Sequence, residues 1–331
     1  SNEFLSIGIG ARGLGMSGAQ VALASDVTAA YWNPAGLMQM KQPTEISLMH
    51  SEYFAGIAQF DYAALATRVD ENSRIAFSVI RFAVDDIPDT RFLYDANGRL
   101  DYDNILFFSA ADYAFLFSYA KNVAAIQGLS LGTNFKIIYR NVGAFANAWG
   151  FGLDAAARYQ SGGFQLGILL KDVTGTFNAW THSSELVEDI YVQTGNLIPE
   201  SSIELTLPKA ILGVGYQFRF FGKRVGVLPA MDFEITFDGR RNVPLNSKLV
   251  SMDPRFGLEI DYLQKVFLRG GLGNIQKVKD FDGSFYSSSQ INFGLGISIQ
   301  KISIDYALTD LGNQSEALYS HVFSLKFSLN K

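Results

Sequence analysis

From about Thr44 to the C-terminus the chain alternates apolar with small or polar residues at a period of two, and this constrains the fold more than any other property of the sequence. Ile291, Phe293, Leu295, Ile297 and Ile299 alternate with Asn292, Gly294, Gly296 and Ser298. Trp149, Phe151, Leu153, Ala155, Ala157 and Tyr159 do the same against Gly150, Gly152, Asp154, Ala156 and Arg158. Phe323, Leu325, Phe327 and Leu329 repeat the pattern against Ser324, Lys326 and Ser328. Successive side chains of a strand point to opposite faces, so each segment has one apolar face and one face of glycine, serine, asparagine and charge. About fourteen segments read this way: 44–53, 57–68, 73–82, 109–121, 127–141, 147–160, 163–173, 207–219, 225–237, 252–263, 266–274, 287–299, 302–310 and 318–330.

An even count suits a closed antiparallel barrel. Short connections near 69–72, 122–126, 161–162, 220–224, 264–265 and 300–301 alternate with others that include long ones near 83–108, 174–206, 238–251 and 275–286. Short turns on one rim and longer loops on the other are how outer-membrane barrels are built. The fold expected is therefore all-β: an integral outer-membrane antiparallel β-barrel of about 14 strands, with the short turns and both termini on the periplasmic side.

Composition separates this reading from a soluble sandwich. Charged residues make up 18% of the chain, against about 25% in an average soluble domain, while aromatics reach 14% and mean hydropathy is +0.11. No uninterrupted apolar run approaches the roughly 18 residues that a spanning helix needs. A sandwich also alternates, but it exposes charge rather than Gly and Ser on its outer faces. Tyr119, Tyr159, Phe220 and Tyr262 lie near the short turns, and Tyr139, Trp149 and Tyr319 near the loops. Those are the two levels at which interface aromatics belong. A net charge of −5 with pI near 5.3 offers no basic footprint, so nucleic acid is not a partner and membrane lipid is. The absence of cysteine removes disulfides, thiolate metal sites and cysteine nucleophiles together.

Residues 1–43 break the alternation. They are rich in Gly and Ala and amount to about the length of chain that folds into a barrel lumen, so they are expected to form a hatch, with 44–331 a single barrel. At its centre lies Asp26-Val27-Thr28-Ala29-Ala30-Tyr31-Trp32-Asn33-Pro34-Ala35-Gly36-Leu37. A helix starting from Ser25 or Asp26 is capped by a short polar side chain, and Pro34 ends it by pushing Asn33 out of helical geometry. The inward register carries charges of both signs, among them Glu45, Asp61, Lys136, Asp154, Arg158, Arg219, Asp232, Glu234, Glu259 and Lys326. A pore selective for one ion sign would be lopsided. The mixture reads as a lumen polar network, centred on Lys136, Asp154, Arg158, Arg219, Asp232 and Glu234, that holds the hatch.

Gly8, Gly10 and Gly13 fit G-x-G-x-x-G, but no βαβ unit surrounds them, and they read as a segment packed closely against the barrel wall. His50, His182 and His321 lack zinc spacing. Asp95, Asn97, Asp101 and Asp103, and separately Asp280 and Asp282, read as turn formers rather than a twelve-residue calcium loop. No nucleophile elbow is present. Neither catalysis, a cofactor nor a metal site is expected.

Gly10-Ala11-Arg12-Gly13-Leu14-Gly15-Met16-Ser17-Gly18-Ala19, followed by Asp26 and by Trp32-Asn33-Pro34-Ala35, resembles the PorV/PorQ family, a Bacteroidetes branch of the FadL-like outer-membrane barrels. The resemblance implies a fourteen-stranded barrel with a hatch formed around Trp32, Asn33, Pro34, Ala35 and Gly36. It also implies a role in type IX protein secretion. In that role the barrel binds the signal domain of cargo proteins or docks on the secretion translocon or an attachment complex. The external loops 83–108 and 174–206 then supply apolar anchors in Phe92, Tyr94, Phe177, Trp180, Ile190 and Tyr191. The alternative is a FadL-like transporter of hydrophobic small molecules, whose third strand, ending at Asp85-Asp86-Ile87-Pro88, kinks to open the wall. That alternative calls for an apolar lumen path, and the inward positions above are mostly polar, which favours secretion.

Overall fold

The computed structural model describes residues 2–329 except 55, 95–96, 189–190, 193–194, 196, 199, 281–282 and 310–319. Fourteen antiparallel staves close into a barrel. They are β1 (Thr44–Tyr53), β2 (Ala58–Asp70), β3 (Ser73–Asp89), β4 (Leu106–Asn122), β5 (Leu129–Val142) and β6 (Ala146–Ser161). Next come β7 (Phe164–Lys171 with Thr176–His182) and β8 (Ser202–Thr206, Lys209–Tyr216 and Phe218–Phe220). The rest are β9 (Val225–Thr236), β10 (Ser251–Tyr262), β11 (Val266–Lys279), β12 (Phe285–Ile299), β13 (Ile302–Thr309) and β14 (Ser320–Leu329). Thr44 opposite Leu329 through Glu52 opposite His321 pair the first stave with the last, so the sheet has no free edge.

Two rings of aromatic side chains bound the outer apolar band. On the loop side one cross-strand row runs Tyr306, Phe323, His50, Asp61, Arg81, Tyr113, Tyr139 and Trp149, each directly opposite the next on β13, β14 and β1 to β6. On the turn side Tyr159, Tyr216, Phe218, Phe220 and Tyr262 occupy the corresponding level. Ten residues at about 3.3 Å, tilted about 45°, separate Trp149 from Tyr159 by roughly 23 Å, close to the thickness of the apolar band. Tyr319 lies outside the described residues. Asp61 is not a lumen residue: it belongs to the outer row, where it accepts from Arg81 Nη1 at 3.0 Å and meets His50 Nδ1 at 2.7 Å.

Two staves depart from the regular ladder. In β3 the register slips between Val84 and Ile87, with Asp86 at φ +55°, and pairing with β4 then resumes from Ile87 opposite Phe108 to Asp89 opposite Leu106. This bulge bends the strand without opening the wall. The larger interruption is in β7. Lys171 faces Lys209 and Thr176 faces Thr206, so residues 172–175 stand against 207–208. Residues 176–182 and 202–206 are therefore wall and not loop, which corrects the sequence reading of 174–206 as one long loop.

Residues 2–43 lie in the lumen as short helical turns, Glu3–Ser6, Ala11–Leu14, Ala29–Trp32 and Pro34–Gln39, joined by irregular chain. No helix of the described residues is long and apolar enough to cross a membrane.

Candidate functional site

The site is built from the hatch and the wall that receives it. Wall glycines supply the seats. A Cβ on Gly132 of β5 would stand 2.3 Å from Ala35 N and 2.5 Å from the Pro34 carbonyl carbon. On Gly167 of β7 it would lie 2.2 Å from Val21 O, and on Gly271 of β11 2.4 Å from Ser17 N. Backbone therefore packs directly on backbone, an approach that any side chain would block. This gives the glycines on the inner register a second meaning beside wall polarity: they are where the hatch touches.

Hydrogen bonds lock the same contacts. Asp232 Oδ2 accepts from Gln20 N and Val21 N, both at 2.9 Å, and Arg158 Nε donates to Ala22 O at 2.7 Å. Asn33 Nδ2 donates to Val21 O at 2.7 Å and to Ala157 O of β6 at 3.2 Å, while its Oδ1 accepts from Ala35 N. Asn33 thus joins two hatch segments to the wall, and Pro34, at the first position of the following helical turn, needs no N–H there. Ser130 Oγ donates to Ala35 O and Asn134 Nδ2 to Ala30 O.

Trp32 is the centre of the hatch interior. Its indole N–H donates to Ile9 O at 3.1 Å, and its ring lies where a Cβ on Gly13 would intrude at 2.7 Å and one on Gly8 at 3.0 Å. Gly8 and Gly13 are therefore small to admit Trp32, not to approach the wall as the sequence reading held. Tyr31 meets Trp32 edge-on with ring centroids 4.9 Å apart. Burial pushes the Tyr31 hydroxyl up to about 12, and that hydroxyl donates to Leu5 O at 2.6 Å.

Two ion pairs anchor the hatch on the side of the short turns. Arg12 forms a fork with Glu259, at 2.8 and 3.0 Å. Burial alone would lower the guanidinium pKa, and the Glu259 charge outweighs it and raises it. Asp26 accepts from Thr28 N at 3.0 Å and from Lys326 Nζ at 2.6 Å. Burial opposes its ionisation, but Lys326 and Arg12 hold the carboxyl well below the usual range. The helix entered here is only one turn, Ala29–Trp32, shorter than the sequence suggested.

The residues read as one lumen network divide into separate clusters. Lys136 bridges Asp154 and Asp172, and Thr176 donates to Asp172, which fastens the β7 interruption to β5 and β6. Glu234 pairs with Lys209 and Arg255, Arg158 and Asp232 clamp the hatch, and Arg219 pairs with Asp261 away from it. Sequence reasoning missed Asp172, whose Asp-x-x-Gly context reads as a turn.

The expectation of a mostly polar lumen is also corrected. On the loop-side half of β1 to β5 the inner face is apolar: Met49, Tyr53, Phe60, Tyr62, Ile80, Leu116 and Ile138 form one buried cluster with Phe4, Leu5, Ile9 and Leu14 of the hatch. The lumen is thus two-sided, apolar on the loop-side half of β1 to β5 and ionic along the other staves and on the turn side. A vestibule of about 710 Å³ opens on the turn side, lined by Arg12, Asp26, Glu45, Arg158, Arg219 and Lys326 among others. A cavity of about 270 Å³ lies on the loop side, against β7 and β8.

The loop anchors expected from the sequence scatter. Phe92 and Tyr94 are exposed in the β3–β4 loop. Phe177 sits on β7 facing outward beside Phe151, and Trp180, also on β7, faces the lumen beneath Arg140 and donates to Glu204. Tyr191 is half-buried in the β7–β8 loop, and Ile190, Asp95 and Asp282 lie outside the described residues. His182 stacks on Trp180, and His321 meets the Tyr306 hydroxyl on the outer face.

No family model matches the chain, and no curated protein matches it by sequence. Solved structures do. The Ralstonia pickettii toluene transporter TbuX aligns over 98% of this chain and 99% of its own, at 14% identity and a TM-score of 0.58. The CymD monoaromatic hydrocarbon channel aligns over 98% of both chains at 15% identity and a TM-score of 0.58. A Pseudomonas aeruginosa FadL homologue covers 96% of this chain and 98% of its own, at 12% identity and a TM-score of 0.54. Each of these structures is described as a transporter, a channel or a FadL homologue. The chain has the FadL-like fold, a fourteen-stranded outer-membrane barrel with its N-terminal segment in the lumen.

Proposed function

We propose that this barrel carries hydrophobic small molecules across the outer membrane. The observation that carries the reading is the apolar inner face of β1 to β5, where Met49, Phe60, Tyr62, Ile80, Leu116 and Ile138 are lined up behind Phe4, Leu5 and Ile9 of the hatch. In any barrel such a wall would bury the apolar side of the hatch, and here it is also a surface that an apolar solute can use. Such a solute gains from it, because each apolar group it withdraws from water contributes about 25 cal/mol per Å². The N-terminal residues are the natural stand-in for the solute, which displaces them from the wall on its way through. The described relatives, two of them hydrocarbon carriers, are consistent with this cargo class. Influx of radiolabelled toluene into cells carrying the barrel in their outer membrane is expected to exceed the barrel-free control several-fold. Equal influx would overturn the reading.

A second reading, protein docking of the PorV/PorQ kind in type IX secretion with periplasmic termini and a Bacteroidetes source, is favoured by a different observation. Phe92, Tyr94 and Tyr102 stand exposed together in the β3–β4 loop. Mild-detergent purification separates the two: a translocon, attachment or cargo protein recovered with the barrel, and lost on Phe92→Ser with Tyr94→Ser, supports docking.

A further inference from the structure

The interruption of the wall between β7 and β8 lies against a cavity whose chemistry differs from the apolar face across the lumen. Between the Lys171–Lys209 and Thr176–Thr206 pairs, residues 172–175 bow out, with Asp172 at φ +56° and Gly175 at φ +69°. Pro208, facing them, has no N–H to offer. The cavity of about 270 Å³ at this place has Leu5, Leu205 and Leu207 on its wall, with the cations Lys136, Lys171, Lys209 and Arg241 set against the carboxylates Glu3, Asp172 and Asp238. Leu205 is on the outward register and exposed, so the cavity borders both lumen and lipid face.

Lys171 is the decisive residue. It is 8% exposed, donates to Leu5 O at 3.2 Å and lies 4.8 Å from the Tyr31 ring centroid, and it forms no ion pair among the described residues. Asp154, Asp172 and Glu234 stand nearby, but each makes its contact pairs with another cation and none reaches the Lys171 ammonium. Asp154 and Asp172 are held by Lys136, and Glu234 by Lys209 and Arg255. A buried ammonium with no carboxylate in contact is costly, and a bound anion lowers that cost. A 150 Å³ cavity holds benzene, so about 270 Å³ takes one ring with a head group.

We propose that this cavity binds a small aromatic carboxylate, its anionic group on Lys171 and its ring against Leu5, Leu205 and Leu207. The assignment rests on the transport reading and narrows it: the preferred cargo is a ring acid, not the bare hydrocarbon. Lys171 is then the residue that sets specificity.

Calorimetry on the full chain in detergent tests this with 4-methylbenzoate and toluene at pH 7. The wild type is expected to bind 4-methylbenzoate at least tenfold more tightly than toluene. Lys171→Met should abolish that preference and Lys171→Arg keep it within threefold. Toluene bound as well as 4-methylbenzoate, or a preference intact in Lys171→Met, overturns the site. The wild-type comparison needs no variant, so it decides even where Lys171→Met does not fold. Influx distinguishes the two levels. Toluene influx without a 4-methylbenzoate preference overturns the site and retains transport, whereas 4-methylbenzoate binding with no influx of either compound retains the site and overturns transport.

Discussion

At the scale of single residues, the hatch is held by contacts that tolerate no added atoms. Gly132→Val places carbon within about 2.5 Å of the Pro34–Ala35 peptide, where backbone has no rotamer with which to give way. It is expected to destabilise the docked hatch by about 1 to 3 kcal/mol or more and to raise ion conductance across planar bilayers. Gly270→Ala is the control. No atom lies within 4 Å of its added Cβ, so stability should stay within about 0.5 kcal/mol of wild type. Lys136→Met is a different kind of lesion, since it leaves Asp154 and Asp172 buried without their cation. Breaking a buried pair costs about 3 to 5 kcal/mol, and the β7 interruption should lose protection in hydrogen exchange before the rest of the wall. The hatch residues are conspicuous in the sequence because Trp32-Asn33-Pro34 interrupts a regular pattern. Lys171 is not, because the missing contact pair that makes it unusual shows only once its neighbours are paired.

At the scale of elements, the hatch is pinned on its turn side by two ion pairs, Arg12 on Glu259 and Asp26 on Lys326. The lowered carboxyl of Asp26 fixes the sign of its pH dependence. Its contribution is complete above the ordinary value of 3.8 and is lost as pH falls through the lower docked value. The difference in hatch stability between wild type and Asp26→Asn should therefore persist at pH 5 and shrink below about pH 4. Tryptophan fluorescence of Trp32 during denaturant titration measures it, and a difference that vanishes near pH 6 would assign the effect to other groups. The β7 interruption shows why strand boundaries resisted reading. Asp172-Val173-Thr174-Gly175 has the residues of a turn, and a turn and a wall bulge both ask for left-handed backbone at Asp and Gly. What separates them is whether Thr176–His182 finds β6 again, which is a matter of pairing at a distance.

At the scale of the whole molecule, the two-sided lumen predicts an asymmetric response. Ile80→Asp, on the apolar side, should lower influx of a hydrophobic solute several-fold, and because Ile80 is buried against the hatch it should raise conductance as well. Equal loss of influx from substitutions on both sides would argue against a preferred apolar path. The sequence by itself determined the barrel, its strand number and the level of its interface rings, because a chain that must satisfy every backbone group in lipid and alternate its faces has few other solutions. It did not determine which wall faces are apolar inside. In 75–84 nearly every residue is apolar, Ile75, Ala76, Phe77, Val79, Ile80, Phe82, Ala83 and Val84, so the alternation that reveals a polar lumen disappears where the lumen is apolar too. Only the closed tertiary structure sorted those positions into lipid and lumen, brought hatch backbone onto glycines far away in the chain, and left Lys171 without a contact ion pair among the described residues. Those three outcomes depend on which staves meet across the barrel, a property of the closed circumference that no local stretch of sequence carries.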